Sequence, residues 1–228
     1  MKGKDQFQLT EVTYNPGFLK LFDEIVSNSV DEHKRNIKLN KVKVDIDMST
    51  GQISIWDNGG IPVKIHKEYD EWVPEMIFSN LKAGSNFDDT EDRVVVGTNG
   101  VGSTLTNIFS KEFIIETCDG KKQFVQTFKN NMSERTKAKI TNKKTAYTKI
   151  TYLTDFKRFG LKGINKNHYL MITKRLIDIA ACNPTLKIFL NDKPIAFRTF
   201  KDYASRYVTP VFYDQSEHWK IGIGHSTT

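Results

Sequence analysis

Residues 21–33 read LFDEIVSNSVDEH and lie at the centre of the strongest helical pattern in the chain. The apolar side chains in and around this stretch recur at helical spacing, at Phe18, Leu19, Phe22, Ile25, Val26 and Val30. Such spacing gathers them on one side of an α-helix, and the preceding Pro16-Gly17 pair is a typical start signal. The pattern therefore predicts one amphipathic helix over residues 17–35.

The opposite side of this predicted helix carries a polar stripe. At about 100° per residue, Asn28 lies roughly 40° and Asp31 roughly 20° from Glu24 around the helix axis. The three residues are a candidate functional surface, but for an isolated helix an ordinary solvated face is the favoured interpretation. The spacing alone leaves both interpretations open.

The next segment of the chain predicts a β-hairpin. Its apolar residues alternate with polar ones on both sides of a Ser49-Thr50-Gly51 turn, at Val42, Val44, Ile46, Met48, Ile53 and Ile55. The second strand ends in IWDNGGIP at residues 55–62, where glycines let the backbone approach a ligand closely. The Asp57 carboxylate can accept a hydrogen bond from an exocyclic amine such as that of adenine. An ordinary Asp-Asn-Gly-Gly turn is the alternative.

A second glycine cluster, GTNGVG at residues 97–102, precedes STLTNIFS at residues 103–110. If the latter is a helix, its free N–H groups face the glycine loop, an arrangement that binds phosphate. The cluster contains neither GxxxxGK[ST] nor GxGxxG, which disfavours the common nucleotide folds. A flexible loop without a ligand is the alternative. Between the two clusters, VPEMIFSNLKAG at residues 73–84 predicts a short helix.

The β pattern returns in the second half of the chain. Strands are predicted at residues 113–118, 124–128, 147–153 and 185–190, with a helix at residues 168–181. In the last segment, Trp219, Ile221 and Ile223 lie on one side of a strand that has no following element to pair with, so we expect the natural protein to continue. The whole pattern predicts an α+β fold with helices on one face of a mixed, largely antiparallel sheet.

Composition narrows the class of protein. The chain has 228 residues, 38% of them hydrophobic, and a formal net charge of +7, which is typical of a basic globular protein. Only Cys118 and Cys182 are present, and they are too far apart in sequence for a zinc motif. Neither a membrane span nor a signal peptide is predicted, and we expect a cytoplasmic location.

Together, the helix stripe, the Asp57 turn and the glycine loop resemble the Bergerat-type nucleotide site of the GHKL ATPase superfamily. The resemblance narrows to type II DNA topoisomerases over nearly the whole chain. It runs through YNPG at 14–17, LFDEIVSNSVDEH, WVPEMIFSNLKAGSNFDD at 72–89, VVVGTNGVGSTLTNIFS at 94–110 and YTKITYLTDFKRFG at 147–160. The PEMIF, SNFDD and NIFS stretches look more like eukaryotic and T4-type phage enzymes than like gyrase, and a phage large subunit is the expected source.

The resemblance implies a two-layer GHKL fold and a role for each matching residue. Glu24 matches the general base that activates water, and Asn28 matches the Mg²⁺ ligand. Asp57 matches the adenine contact, which Thr148 supports, and Asp31 supports the site without ligating the metal. The remaining matches line the adenine pocket (Ile61, Ile77, Phe78), lie near the ribose and phosphates (Ser85, Asn86) or wrap the triphosphate (Thr98, Asn99, Gly100, Val101, Gly102, Ser103). ATP and Mg²⁺ are the implied ligands.

Three features depart from the family pattern. The usual DxGxG motif is one residue shorter at Asp57-Asn58-Gly59-Gly60, and Thr104 stands where eukaryotic relatives carry a phosphate-contacting lysine. The chain also has only a short N-terminal arm and stops before the switch lysine of the family. We therefore expect an ATPase domain at residues 1–205 and the start of a transducer domain at residues 206–228. We expect this chain to be monomeric and to hydrolyse ATP slowly, whereas the full enzyme is a homodimer that assembles with other topoisomerase subunits or domains and passes DNA.

Two other functions remain as alternatives. A DNA-binding module is suggested by residues 134–166, whose many Lys and Arg residues face only Glu134 and Asp155 within that stretch. A solvated basic surface explains the same stretch, because no groove-reading motif accompanies it. The other alternative is a different GHKL protein, such as a chaperone, a mismatch-repair ATPase or a histidine kinase. The kinase is disfavoured because His33, His66 and His168 have no catalytic partner at a recognisable spacing.

Overall fold

The computed structural model describes residues 7–81, 100–195, 197, 199–216 and 219–225. The helices within these ranges are α1 (Pro16–Arg35), α2 (Val73–Ser79), α3 (Gly102–Ile108), α4 (Lys166–Cys182) and α5 (Phe200–Ala204). The first strands are β1 (Lys41–Ile46), β2 (Gln52–Asp57), β3 (Ile65–His66), β4 (Glu71–Trp72), β5 (Ser110–Cys118) and β6 (Lys122–Lys129). The later strands are β7 (Glu134–Arg135), β8 (Lys139–Asn142), β9 (Tyr147–Thr154), β10 (Lys187–Leu190), β11 (Lys193–Ile195), β12 (Thr209–Gln215) and β13 (Lys220–His225).

The main sheet has the strand order β11-β10-β1-β2-β9-β5-β6-β7, with β8 also paired to β6. Its β1–β10 pair is parallel, and the neighbouring pairs, such as β1–β2, β2–β9 and β5–β9, are antiparallel. The register sets Ile150 of β9 opposite both Ile55 of β2 and Ile115 of β5. The prediction of a mixed, largely antiparallel sheet in an α+β fold is confirmed.

One core joins the sheet to the long helices. Alternate strand residues such as Val44, Ile55 and Ile115 are buried, and they share a cluster with Phe22 of α1 and Leu176 of α4. Because side chains in a strand alternate between faces, the intervening residues emerge on the other face, where they are half-buried or exposed. Helices thus cover the apolar face of the sheet, and the burial of that face holds the layers together.

Helix α1 begins one residue earlier than predicted. The Asn15 side chain accepts a hydrogen bond from the Phe18 amide at 3.0 Å and so caps the helix, and Pro16 occupies its first turn. The Asn15 side chain also donates to the Phe159 carbonyl at 3.0 Å, which ties the helix start to the turn after β9. These contacts fix where α1 crosses the sheet.

The last strand has a partner that the sequence did not indicate. Strand β13 pairs antiparallel with β12, which precedes it, in a two-stranded sheet of their own. The expectation of an unpaired strand is therefore corrected: the partner lies before β13 in the chain rather than after it. Ile221 and Ile223 remain 42% and 53% exposed on this sheet.

Candidate functional site

A cavity of about 640 Å³ lies between α1, the ends of β2 and β9, helix α2 and the glycine loop before α3. Every candidate residue that the structure describes contributes to its wall: Glu24, Asn28, Asp57, Ile61, Ile77, Phe78, Gly100, Val101, Gly102, Ser103 and Thr148. The other candidates, Ser85, Asn86, Thr98 and Asn99, lie outside the described residues. Three sequence segments that are far apart in the chain therefore form one site. The volume is within the usual range for small-molecule pockets.

The polar stripe of α1 faces this cavity and is not a solvated helix face. The Asn28 amide nitrogen donates to the Ser103 hydroxyl at 2.7 Å, which joins α1 to the start of α3. Its amide oxygen has no partner in that contact and remains available to the cavity. Asp31 also lines the cavity and is only 4% exposed.

Glu24 lies against the glycine loop and is held by a lysine that the sequence analysis did not single out. Its Oε1 atom is 2.6 Å from Lys20 Nζ. A Cβ atom built on Gly102 would lie 1.7 Å from Glu24 Oε2, so a larger residue there would displace the carboxylate or the loop. Lys20 could have been identified from the sequence by its position, which is one helical turn before Glu24 on the same stripe.

Asp57 closes the other end of the cavity as a buried carboxylate. It accepts hydrogen bonds from the Ser29 hydroxyl at 2.7 Å and from the Gly59 amide at 2.9 Å. Burial raises the pKa of the Asp57 carboxyl to about 6, and these hydrogen bonds oppose the shift. The shortened turn thus closes directly on this carboxylate. Gly60 is required next, since a Cβ there would lie 2.2 Å from the Cys118 carbonyl oxygen.

Thr148 stands opposite Asp57 in the β2–β9 register. Its hydroxyl lies 3.0 Å from that of Thr117 on β5, and the Thr117 hydroxyl also accepts from the Ile61 amide at 3.1 Å. Thr117 is fully buried and was missed by the sequence analysis. It connects the strand residue Thr148 to the loop that follows Asp57, so two walls of the cavity share one anchor.

The wall beside Asp57 is apolar. Ile61, Ile77 and Phe78 form part of it as predicted, and Met76, Ile55 and Ile150 complete it. A flat aromatic ring can be buried between such side chains while its polar edge meets a carboxylate. This end of the cavity thus combines apolar walls with a buried acceptor.

Helix α3 starts at the glycine loop and is fixed to α2. Gly100 has a positive φ of 58°, which favours glycine. Thr104 is 1% exposed, and its hydroxyl donates to the Asn80 carbonyl at 3.0 Å. Thr104 is therefore turned toward the end of α2. The Asn107 side chain donates to the Phe78 carbonyl at 3.0 Å and strengthens the same junction.

His33 and His168 lie outside the cavity, and both make contacts that stabilise the fold. His33 lies between the Leu39 carbonyl and the Thr185 hydroxyl, at 2.5 and 2.9 Å. His168 belongs to the capping box of α4 and accepts from the Asn15 amide at 3.2 Å. Both are buried, which removes the geometric basis for a phospho-acceptor role.

The basic stretch at residues 134–166 is partly neutralised. Arg135 pairs with Glu75 of α2 at 2.8 Å, and Arg158 pairs with Asp155 at 3.5 Å. The Lys143 ammonium donates to the Tyr147 hydroxyl at 3.0 Å. Glu75, which lies outside this stretch in the sequence, therefore adds an acidic partner to Glu134 and Asp155 within it.

Two further properties concern the described residues as a group. They contain no cluster of three or more His, Cys, Asp or Glu side chains that could hold a metal ion. No helix among them is long and apolar enough to cross a membrane.

Comparisons with known proteins identify similar sequences and folds. No protein-family model matches the chain. The chain is 44% identical over 229 residues to DNA topoisomerase 2 of Acanthamoeba polyphaga mimivirus and 41% identical over 220 residues to DNA topoisomerase 2 of Arabidopsis thaliana. These alignments cover 96% and 94% of this chain but only 18% and 15% of those relatives.

Solved structures give the same result. The ATPase region of Saccharomyces cerevisiae topoisomerase II matches with a TM-score of 0.89 at 35% identity, over 93% of this chain and 59% of that one. The ATPase and transducer domains of Balamuthia mandrillaris topoisomerase II match with a TM-score of 0.91 at 36% identity, over 97% of this chain and 59% of that one. The chain thus spans less than a fifth of the curated relatives and about three fifths of these crystallised regions.

Proposed function

We propose that the cavity of this chain binds ATP with Mg²⁺ and hydrolyses ATP. The similarity in sequence and fold to the ATPase regions of type II DNA topoisomerases supports the proposal. One observation carries the proposal. Glu24 and Asn28 face the glycine loop at one end of the cavity, and the buried Asp57 closes the other end. A nucleotide has this same polarity, with a base at one end and phosphates at the other.

At the base end, Asp57 accepts a hydrogen bond from the exocyclic amine of adenine, and Thr148 supports that contact. Above a pH of about 6 the carboxylate is an acceptor only, so it selects a base with a donor at this position. Ile61, Ile77 and Phe78 pack against the faces of the ring. Burial of this apolar surface supplies affinity, and Asp57 supplies selectivity.

At the phosphate end, the backbone amides of Gly100, Val101, Gly102 and Ser103 bind the triphosphate. The same role is proposed for Thr98 and Asn99, with Ser85 and Asn86 near the ribose and phosphates. With Thr104 turned inward, neutral amides carry more of this binding than in relatives with a lysine there.

The Asn28 amide oxygen is the protein ligand proposed for Mg²⁺. The bond from the Asn28 amide nitrogen to Ser103 does not use this oxygen, and Mg²⁺ prefers oxygen ligands. When bound, the cation neutralises charge on the phosphates. Asp31, behind Asn28, supports the local arrangement without ligating the metal.

Glu24 is the proposed general base. Its carboxylate takes a proton from a water molecule as that water attacks the γ-phosphorus. The position of Oε2 beside Gly102 supports this role, because Gly102 belongs to the proposed phosphate-binding loop. Lys20 also lines the cavity and contacts the other carboxylate oxygen, Oε1.

The proposal also covers the full enzyme of which this chain would be a part. ATP binding closes a homodimer during DNA strand passage, together with other topoisomerase subunits or domains, while the present chain alone is monomeric and hydrolyses ATP slowly. Residues 1–205 form the ATPase domain and residues 206–228 begin a transducer domain. We infer a phage source and a location in the host cytoplasm from the PEMIF, SNFDD and NIFS stretches of the sequence. A phylogenetic tree with phage and eukaryotic sequences tests this source.

The role of Glu24 is tested by the Glu24→Gln variant. We expect it to bind a non-hydrolysable ATP analogue in the presence of Mg²⁺ as the wild type does, and to lose at least about 100-fold in single-turnover hydrolysis. Glu112→Gln, outside the cavity on β5, is the matched control and should retain wild-type turnover. Unchanged hydrolysis in Glu24→Gln would remove this residue as the base.

A further inference from the structure

The ion pair between Lys20 and Glu24 is not explained by the stability of α1. A lysine four residues before a glutamate is the less favourable order for a helical pair. Lys20 also lies near the positive N-terminal end of the helix dipole, whereas the cations of the last turn, His33, Lys34 and Arg35, lie at the favourable end. Since the Lys20 side chain is 62% exposed, the pair contributes little to folding.

A neighbouring contact directs Lys20 to Glu24. Asp23 is the other acid within reach, but Arg175 of α4 binds Asp23 Oδ1 at 2.5 Å. Lys20 is accordingly 3.8 Å from Asp23 and 2.6 Å from Glu24. The hydrogen bond to Glu24 is the main cause that raises the pKa of Lys20, which therefore remains charged at neutral pH.

The two oxygens of Glu24 have different environments. Oε1 is bound by Lys20, and Oε2 is the atom that a side chain at Gly102 would strike. A glutamate side chain has three rotatable bonds, so a free carboxylate would spend only part of its time in this position. The Lys20 contact selects the rotamer in which Oε2 faces the phosphate loop.

We propose that Lys20 is a positioning residue for Glu24, holding Oε1 so that Oε2 stays beside Gly102 for proton transfer. This inference rests on the proposed function, in which Glu24 is the general base. Lys20 makes no proton transfer itself. Its loss is expected to slow the chemical step while leaving nucleotide affinity nearly unchanged, since the contact acts through Glu24.

The experiment compares Lys20→Met, Lys20→Arg and Lys174→Met in the whole protein. Lys174→Met is the matched control because Lys174 pairs with Asp178 in the same order and spacing at 2.5 Å, on α4 outside the cavity. We expect Lys20→Met to slow single-turnover ATP hydrolysis by about tenfold or more, with affinity for an ATP analogue changed by less than about threefold. Lys20→Arg should restore most of the rate, and Lys174→Met should hydrolyse ATP at the wild-type rate.

A double variant separates this inference from the proposed function. If Lys20 acts through Glu24, Lys20→Met should have no further effect on a Glu24→Gln protein. Two outcomes would reject the role of Lys20 but leave the proposed function intact. One is a wild-type rate in Lys20→Met, and the other is a double variant that is slower than Glu24→Gln. Full hydrolysis by Glu24→Gln rejects the proposed function, and the role of Lys20 with it.

A crystal structure of Lys20→Met provides a test without turnover. The Glu24 carboxylate should leave its position beside Gly102 in this variant and keep that position in Lys174→Met. If the carboxylate remains beside Gly102 without Lys20, the positioning role is wrong.

Discussion

At the scale of single residues, Asp57 has the most unfavourable environment in the candidate site. Its carboxylate is 7% exposed and receives hydrogen bonds from the Ser29 hydroxyl and from the backbone of Gly59 and Thr148. Desolvation therefore outweighs hydrogen bonding and raises the pKa of the carboxyl to about 6, well above its ordinary value. A buried, ionised carboxylate of this kind lowers the stability of the unliganded protein at neutral pH. Destabilising groups of this kind are typical of binding sites.

This cost predicts a pH-dependent difference between the wild type and Asp57→Asn. Because the folded pKa is raised, the stability that protonated Asp57 provides is present below about pH 4 and is lost as the pH rises through about 6. Asparagine has no such titration, and the Ser29 hydroxyl can rotate to accept from its amide nitrogen. Asp57→Asn should therefore gain stability relative to the wild type between pH 4 and 8, by about 3 kcal/mol at most.

Urea unfolding at several pH values measures this difference. Asp45→Asn, at an exposed position of β1, is the control and should show no comparable trend. A difference between the wild type and Asp57→Asn that stays constant from pH 4 to pH 8 would show that the Asp57 pKa is not raised.

At the scale of secondary structure, the site depends on the close approach of α1 and the start of α3. Gly102→Ala should disturb this approach, because the new Cβ would lie 1.7 Å from Glu24 Oε2. Either the carboxylate or the loop must move, and we expect single-turnover hydrolysis to fall by about 100-fold.

Gly163→Ala is the matched control for this helix contact. No heavy atom lies within 4 Å of a Cβ built there, so its hydrolysis rate and unfolding free energy should remain near those of the wild type. Equal rates for Gly102→Ala and wild type would contradict the role of the close approach.

The elements themselves were largely predictable, because their signals are local. Helix α1 and the β1–β2 hairpin have clear periods of 3.6 and 2, and Glu24, Asn28 and Asp57 are assigned from these elements and their resemblance to a family. The β3–β4 pair was not predictable, since strands of two residues contain no period. The partner of β13 was missed because the sequence analysis looked for a strand after β13, whereas an antiparallel partner can equally precede it in the chain.

Contacts between residues that are distant in the sequence could not be predicted either. Ser29 reaches Asp57 over 28 positions, and Thr117 reaches Thr148 over 31. Serine and threonine at these positions also fit ordinary helix and strand surfaces, so only the packing of α1 and β5 against β2 and β9 identifies them. Lys20 was missed for a related reason, because lysine on a polar stripe is usually solvated.

At the scale of the whole molecule, the cavity lies where the helical layer meets the sheet, and its wall takes residues from α1, β2, α2, α3 and β9. A ligand that bridges these elements should stabilise the fold as a unit. At about 100 times its Kd, a ligand that binds only the folded state adds about 2.7 kcal/mol, which for a chain of this size corresponds to a rise in Tm of roughly 5–10 °C.

We therefore expect ATP with Mg²⁺ to raise the Tm by about this amount at pH 7.5, measured by differential scanning calorimetry. GTP at the same concentration should raise it much less, because guanine presents a carbonyl oxygen where adenine presents an amine. At this pH Asp57 is ionised and can only accept, so the two oxygens repel each other. Equal shifts with ATP and GTP would remove Asp57 from base recognition, and the absence of a shift with either nucleotide would contradict the cavity as a nucleotide site.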